Sequence, residues 1–137
     1  MGATGHCLCG AVTFTAEQIQ TNVHSCHCGM CQRWTGGPSF SVSVGSVAFE
    51  GQKCISRFIS SEWAERGFCN RCGTNLFYRV KEDDQYFLCM GTFDNLKEFT
   101  FGDEIYIDQK PAVYDFVGDH PRLTGDEFIA SLQQGDG

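Results

Sequence analysis

The sequence predicts a mainly β fold with one short C-terminal helix, and three observations carry that expectation. Apolar residues recur at every second position in several short runs, glycines punctuate those runs, and one segment combines a helix start with helical apolar spacing. The first run, Ala11 to Ala16, alternates as a strand with one covered face does. Ser39 to Val44 and Cys54 to Ile59 alternate in the same way. Asn75 to Val80, Tyr86 to Met90 and Glu104 to Ile107 are short runs rich in aromatic and β-branched residues. Gly36-Gly37, Gly45, Gly51, Gly73, Gly91 and Gly102 supply the turns. Near the end, Thr124-Gly125-Asp126-Glu127 fits a capping box, in which Thr124 and Glu127 satisfy each other's backbone donors. A helix over Asp126 to Gln133 follows, with Phe128, Ile129 and Leu132 as a narrow apolar face. No repeat or linker divides the chain, so one domain over residues 1–137 is expected, long enough to bury a core without disulfides.

Composition narrows the function classes. Hydrophobic residues at 42% and charged residues at 20% are globular values and exclude disorder. A net charge of -7 argues against nucleic acid as the main partner, because phosphate contacts need clustered Lys and Arg. No apolar run approaches the ~18 residues that span a bilayer. Met1 to Gly10 lacks the basic start and apolar stretch of a signal peptide, and His6 stands where myristoylation needs Ser or Thr. A cytoplasmic protein acting on small molecules or other proteins is the expectation.

Nine cysteines are the outlier. The number is odd, and seven of them sit in C-x-C and C-x-x-C spacings, where a disulfide is strained but thiolates share a metal readily. They form three clusters: Cys7-Leu8-Cys9-Gly10, Cys26-His27-Cys28-Gly29-Met30-Cys31 and Cys69-Asn70-Arg71-Cys72-Gly73. The third has the outline of a zinc knuckle, two thiolates on a tight turn with a glycine to permit positive φ. Cys7 and Cys9 can complete it as a closed four-sulfur site, and Cys26, Cys28 and Cys31 are three sulfurs, the number of protein ligands on a catalytic zinc. Spacing alone leaves the pairing open, and His6, His24 or His27 can also close the second site as Cys₃His.

The chain resembles the glutathione-dependent formaldehyde-activating enzyme family, which also includes centromere protein V. The resemblance rests on Cys7-x-Cys9-Gly10, on Cys26-His27-Cys28-x-x-Cys31-Gln32-Arg33 with Gly36 and Phe40, on Phe68-Cys69-x-x-Cys72-Gly73-Thr74 with Leu76, and on Gly91-Thr92-Phe93-Asp94. It implies a β-tent, small antiparallel sheets around a structural zinc. It assigns Cys7, Cys9, Cys69 and Cys72 to that structural zinc, and Cys26, Cys28 and Cys31 to a second, catalytic zinc. The implied activity is that of a carbon–sulfur lyase of the S-(hydroxymethyl)glutathione synthase type. A small thiol such as glutathione, held as thiolate at the open position, adds to an aldehyde such as formaldehyde. Members commonly carry His-Ile where this chain has Glu104-Ile105, and Trp near the position of Val113.

Other residues have two readings each. Arg33 beside the second cluster can take a substrate carboxylate or make a surface ion pair, and Trp34 and Phe40 can wall a substrate pocket or pack in the core. His27 between two proposed ligands is expected to point away from the metal, Arg66 and Arg71 to be solvated, and Asp94 to be a turn residue. Cys54 and Cys89 lie in apolar strands and read as small core residues. Two other functions compete with the lyase: a zinc scaffold that binds a protein partner, and a thiolate store for zinc or redox equivalents.

Overall fold

The structure is a computed structural model that describes residues 2–135. In chain order its strands and helices are β1 (Ala3–His6), β2 (Thr13–Glu17), β3 (Asn22–Cys26), α1 (Gly29–Thr35), β4 (Ser39–Val44), β5 (Ser46–Glu50) and β6 (Ile55–Ile59). They continue with β7 (Ala64–Cys69), β8 (Asn75–Val80), β9 (Gln85–Cys89), β10 (Thr100–Ile105), β11 (Arg122–Leu123) and α2 (Gly125–Gly135). Strands dominate, as the alternating runs predict. Two compact units result: one comprises the chain up to Thr21 with Ser41–Phe99, the other Asn22–Phe40 with the chain from Thr100 onward.

In the first unit β1, β2 and β5 form an antiparallel sheet in the order β1-β2-β5, and β4-β9-β8-β7-β6 is a run of antiparallel neighbours. Alternation decides which side chains go inward. Phe14 and Ala16 of β2 and Val42 and Val44 of β4 are buried, joined by Leu76, Phe77 and Leu88. An aromatic chain runs through this core, Phe93–Phe14–Phe49–Phe77–Tyr86, with ring centroids 5.0 to 6.0 Å apart. The buried rings among them, Phe14, Phe77 and Phe93, contribute roughly 1.5–3 kcal/mol each by area, and Phe49 and Tyr86, half-buried, contribute less. Arg66, expected in solvent, is instead buried at 4% exposure, with its guanidinium 5.0 Å above the Tyr78 ring. The flat cation lies against a π face, which lowers the cost of burying it.

The second unit is built differently. β10 pairs with β3 and with β11 in parallel, so the antiparallel expectation holds for the first unit and not here. The capping box forms as read: Thr124 N–H donates to Glu127 Oε1 at 2.8 Å, and Glu127 N–H to Thr124 Oγ1 at 3.1 Å. Of the expected apolar face of α2, Phe128 packs on Tyr106 with centroids 5.9 Å apart, while Ile129 and Leu132 are exposed.

α1 has no counterpart among the elements expected from the sequence. Cys28 caps it, its sulfur accepting the Cys31 N–H at 3.4 Å, and Gly36 ends it at φ 81° with its N–H on the Gln32 carbonyl. Seven residues are too few to show a periodicity, and cysteine is not among the usual capping residues.

Gly5 in β1 tests the packing of the first unit. A Cβ there would lie 2.2 Å from the Phe14 ring and 2.3 Å from the Thr92 carbonyl oxygen, and the latter cannot move aside. Gly5→Ala is expected to destabilise the protein by about 1–3 kcal/mol. Gly91→Ala, with nothing within 4 Å, is expected to stay within about 0.5 kcal/mol. Thermal unfolding of the two variants checks both values.

Candidate metal and active site

Two groups of thiols converge, one in each unit. Cys7, Cys9, Cys69 and Cys72 have all four sulfurs within 4.8 Å of one another, and so do Cys26, Cys28 and Cys31. Among the described residues, no third such group of His, Cys, Asp or Glu occurs and no disulfide links any cysteine.

In the four-thiol group, Cys7 Sγ lies 3.7 Å from Cys9 Sγ, and Cys9 Sγ 3.8 Å from Cys69 Sγ. A disulfide would need ~2.05 Å. A tetrahedron of sulfurs at the zinc–thiolate distance of ~2.3 Å has edges of ~3.8 Å, so this donor set fits zinc. Two turns place the sulfurs. Cys69 to Gly73 closes with the Gly73 N–H on the Cys69 carbonyl at 2.8 Å, and Gly73 has φ +81°, which only glycine adopts without strain. The turns aim N–H groups at sulfur, Arg71 N at Cys69 Sγ (3.4 Å) and Val12 N at Cys7 Sγ (3.3 Å). Hydrogen bonds from the Thr74 hydroxyl and then its backbone N–H pull the Cys72 thiol down to about 5, ready to serve as a thiolate.

In the three-thiol group, hydrogen bonds from Cys26 and then Cys31 hold the Cys28 thiol far below the usual range. The same pairing with Cys28 and then Cys31, together with burial, pushes Cys26 far up. Cys28 gives up its proton easily and Cys26 keeps its own, so three thiolates at once require a cation. Three thiols with that demand fit a soft divalent ion such as zinc. Local folding explains the placement: Cys26 ends β3, Cys28 caps α1 and Cys31 sits in its first turn. Gln32 locks the helix start, with its Nε2 donating to the His27 carbonyl (2.7 Å) and the Gln109 carbonyl (2.9 Å). Gln109 Oε1 in turn accepts the Gly29 N–H at 2.8 Å.

His24, His27 and His6 do not close either thiol group. His24 Nδ1 pairs with Asp103 at 2.8 Å, and His6 Nε2 lies 3.4 Å from Asp94. His27, fully buried, has both ring nitrogens engaged, Nε2 with Glu104 Oε1 (2.8 Å) and Nδ1 with the Tyr114 hydroxyl (3.2 Å). Asp94 does more than turn the chain, since it also accepts the Thr4 hydroxyl at 2.7 Å. Arg33 is exposed and lines a surface cavity of about 330 Å³ with Gly29 and Gln32. Phe40 packs against Phe101 and Phe116, and Trp34 is half-buried on α1. Val113 is exposed, and Cys54 and Cys89 are half-buried.

The partners of Glu104 leave no mark in the sequence pattern. This carboxylate is buried at 1% exposure and takes His120 Nε2 (2.6 Å) and Arg122 Nε (3.0 Å) on its second oxygen. Burial pushes its carboxyl up, but the hydrogen bonds from His120 and His27 and the neighbouring positive charges hold it below the usual range. The Tyr106 phenol is pushed up by burial first and then by its electrostatic interaction with the neighbouring cysteines, Cys28 foremost, and with Asp108. Tyr106 also adopts φ 58°, a left-handed conformation that is strained for a bulky residue.

The family model for the glutathione-dependent formaldehyde-activating enzyme matches residues 2–109. The chain belongs to that family. A relative in Schizosaccharomyces pombe named as an uncharacterized lyase is 32% identical over 131 residues, covering 93% of this chain and 95% of its own. A crystallised Rhodobacter sphaeroides protein shares the fold with a TM-score of 0.56 at 17% identity, covering 87% of this chain and 98% of its own. The cysteine motifs quoted for the formaldehyde-activating family at Cys7, Cys26 and Cys69 all fall within the matched segment.

The four-thiol group predicts a stability difference. Metal binding there adds directly to folding, because the unfolded chain has no preformed site. Cys69→Ser is expected to cost at least about 3 kcal/mol, and Cys28→Ala clearly less. Chemical denaturation of zinc-loaded protein compares the two.

Proposed function

We propose that the chain is a zinc-dependent carbon–sulfur lyase that interconverts a small thiol such as glutathione, an aldehyde such as formaldehyde, and their S-hydroxymethyl adduct. One observation carries the reading: Cys26, Cys28 and Cys31 converge without a fourth His, Cys, Asp or Glu among the described residues. A centre with three protein donors has room for an exchangeable partner, while the four-donor group has none. Membership of the formaldehyde-activating family and the lyase name of the S. pombe relative support it. Cys7, Cys9, Cys69 and Cys72 are the structural set in this reading, and Cys26, Cys28 and Cys31 the catalytic one.

The chemistry joins sulfur to the carbonyl carbon as the thiol proton leaves and the carbonyl oxygen takes one up. Cys26, Cys28 and Cys31 would hold the zinc, which would supply the Lewis acidity that favours a thiolate at neutral pH. The protein contributes placement. The α1 cap fixes the Cys28 sulfur, and Gln32 fixes the helix start to the Gln109 turn. Arg33, exposed beside the cavity it shares with Gly29 and Gln32, offers a guanidinium to a carboxylate of the thiol substrate. Trp34 on the same helix adds an apolar surface next to it. Holding both reactants in one orientation is the main gain, because the addition already proceeds in water.

Exchange NMR with labelled formaldehyde and glutathione tests the reading. Adduct exchange faster than the spontaneous background, lost in Cys28→Ala, is expected; exchange at the background rate in the zinc-loaded protein contradicts it. Arg33→Ala is expected to raise KM for glutathione about 10-fold or more. The same substitution leaves a thiol without carboxylates, such as 2-mercaptoethanol, nearly unaffected, and steady-state kinetics with both thiols separate the effects.

A further inference from the structure

Glu104 and His27 form a buried polar centre that the proposed chemistry does not use. His27 stands between Cys26 and Cys28, and all four of its polar atoms are held. Its N–H donates to the Ile105 carbonyl at 3.0 Å, and its carbonyl accepts from Gln32 Nε2 at 2.7 Å. Its ring nitrogens take the Tyr114 hydroxyl and Glu104 Oε1, and the Phe116 ring stacks on it at 5.9 Å. Glu104 is held as firmly. His120 Nε2 and Arg122 Nε grip Oε2, which leaves Oε1 for His27. Arg122 is anchored in turn, with Nη2 donating to the Phe116 and Gly118 carbonyls, and His120 stacks on Phe101 at 4.1 Å. The register completes the frame, because β10 and β3 set Glu104 opposite Ser25 and Ile105 opposite Cys26.

A side chain fixed at every polar atom leaves the backbone between two candidate ligands one geometry. We propose that Glu104 is a positioning residue for the three-thiol centre, fixing through His27 the separation and aim of the Cys26 and Cys28 sulfurs. The inference rests on the reading that Cys26, Cys28 and Cys31 hold a metal ion, and it names the carboxylate that sets how tightly they hold it. Groups that orient metal-binding loops typically change metal affinity about 10- to 100-fold when substituted. A carboxylate that merely supported the fold of the second unit would lower its stability without shifting the cobalt spectrum of the Cys28-dependent equivalent.

Competition with a chelator for zinc, followed in parallel by the charge-transfer absorption of the cobalt(II)-loaded chain, tests this. Cys28→Ala and Cys69→Ser assign the two metal equivalents. In Glu104→Gln the Cys28-dependent equivalent is expected to bind about 10- to 100-fold more weakly with a shifted cobalt spectrum, and the Cys69-dependent one to be unchanged. Glu104→Asp recovers part of the loss. Unchanged affinity at the Cys28-dependent equivalent, or equal loss at both, overturns the inference. Should Glu104→Gln not fold, Tyr114→Phe removes the other ring partner of His27 while leaving the carboxylate paired. The same selective weakening is then expected, and its absence overturns the inference equally. A parent chain without a Cys28-dependent equivalent overturns the metal reading and this inference together. Background adduct exchange with both equivalents bound contradicts the lyase reading alone.

Discussion

Sulfur crowding is the constraint on which the first unit depends. Four thiols lie within 4.8 Å of one another, and two thiolates at about 4 Å repel by about 4 kcal/mol at an effective dielectric of ~20. Six such pairs make the cluster untenable as thiolates without a cation, and favourable with one. The elements around it fit this requirement. β1 leads into Cys7, β7 ends at Cys69, and the two following turns present N–H groups to sulfur. The sheet carries the sulfurs, and a metal would couple residues that are 60 positions apart in the chain.

The second unit answers the same constraint with different local chemistry. Here the sulfurs come from a strand end and a helix start, so a one-turn shift of α1 would separate Cys28 from Cys31. The helix is too short to be stable alone, and its stability comes from its ends: the cysteine cap, the left-handed Gly36 and the Gln32–Gln109 latch. Beneath it lies a buried carboxylate with two histidines and an arginine. A buried charge without partners is costly, and Glu104 has three. Two compact units thus present one set of four thiols and one of three, the difference on which the proposed lyase rests.

Much of this was legible in the residues. The strand at Ser39–Val44 coincides with an alternating run, the strand at Asn75–Val80 with a run rich in aromatic and β-branched residues, and the Thr124–Glu127 box forms as read. Cysteine spacing marked the three clusters, because ligands from one turn are local, while the joining of Cys7 and Cys9 to Cys69 and Cys72, 60 positions along the chain, came only with the family resemblance. What stayed hidden is non-local. β7, Ala-Glu-Arg-Gly-Phe-Cys, carries two charges that interrupt the apolar pattern, because one of them, Arg66, is buried against an aromatic ring. β3 was masked by running into a cysteine motif, and α1 by a cap that no propensity scale favours. Glu104 registered only as a departure from the family pattern. Its partners His27, His120 and Arg122 lie 77, 16 and 18 residues away, and apolar periodicity carries no trace of a buried polar network. Arg122 and His120 each sit near a proline, Pro121, which as a sequence signal marks only a turn.

The central claim is that one centre has four protein sulfurs and the other three. X-ray absorption at the zinc edge, on zinc-loaded protein prepared without added thiol, measures this most directly. The account predicts two zincs per chain and an average of about three and a half sulfurs at ~2.3 Å, with a lighter atom making up the remainder. In Cys28→Ala a single zinc with four sulfurs should remain. Four sulfurs on each of two zincs, or one zinc per chain that is indifferent to Cys28, would contradict it.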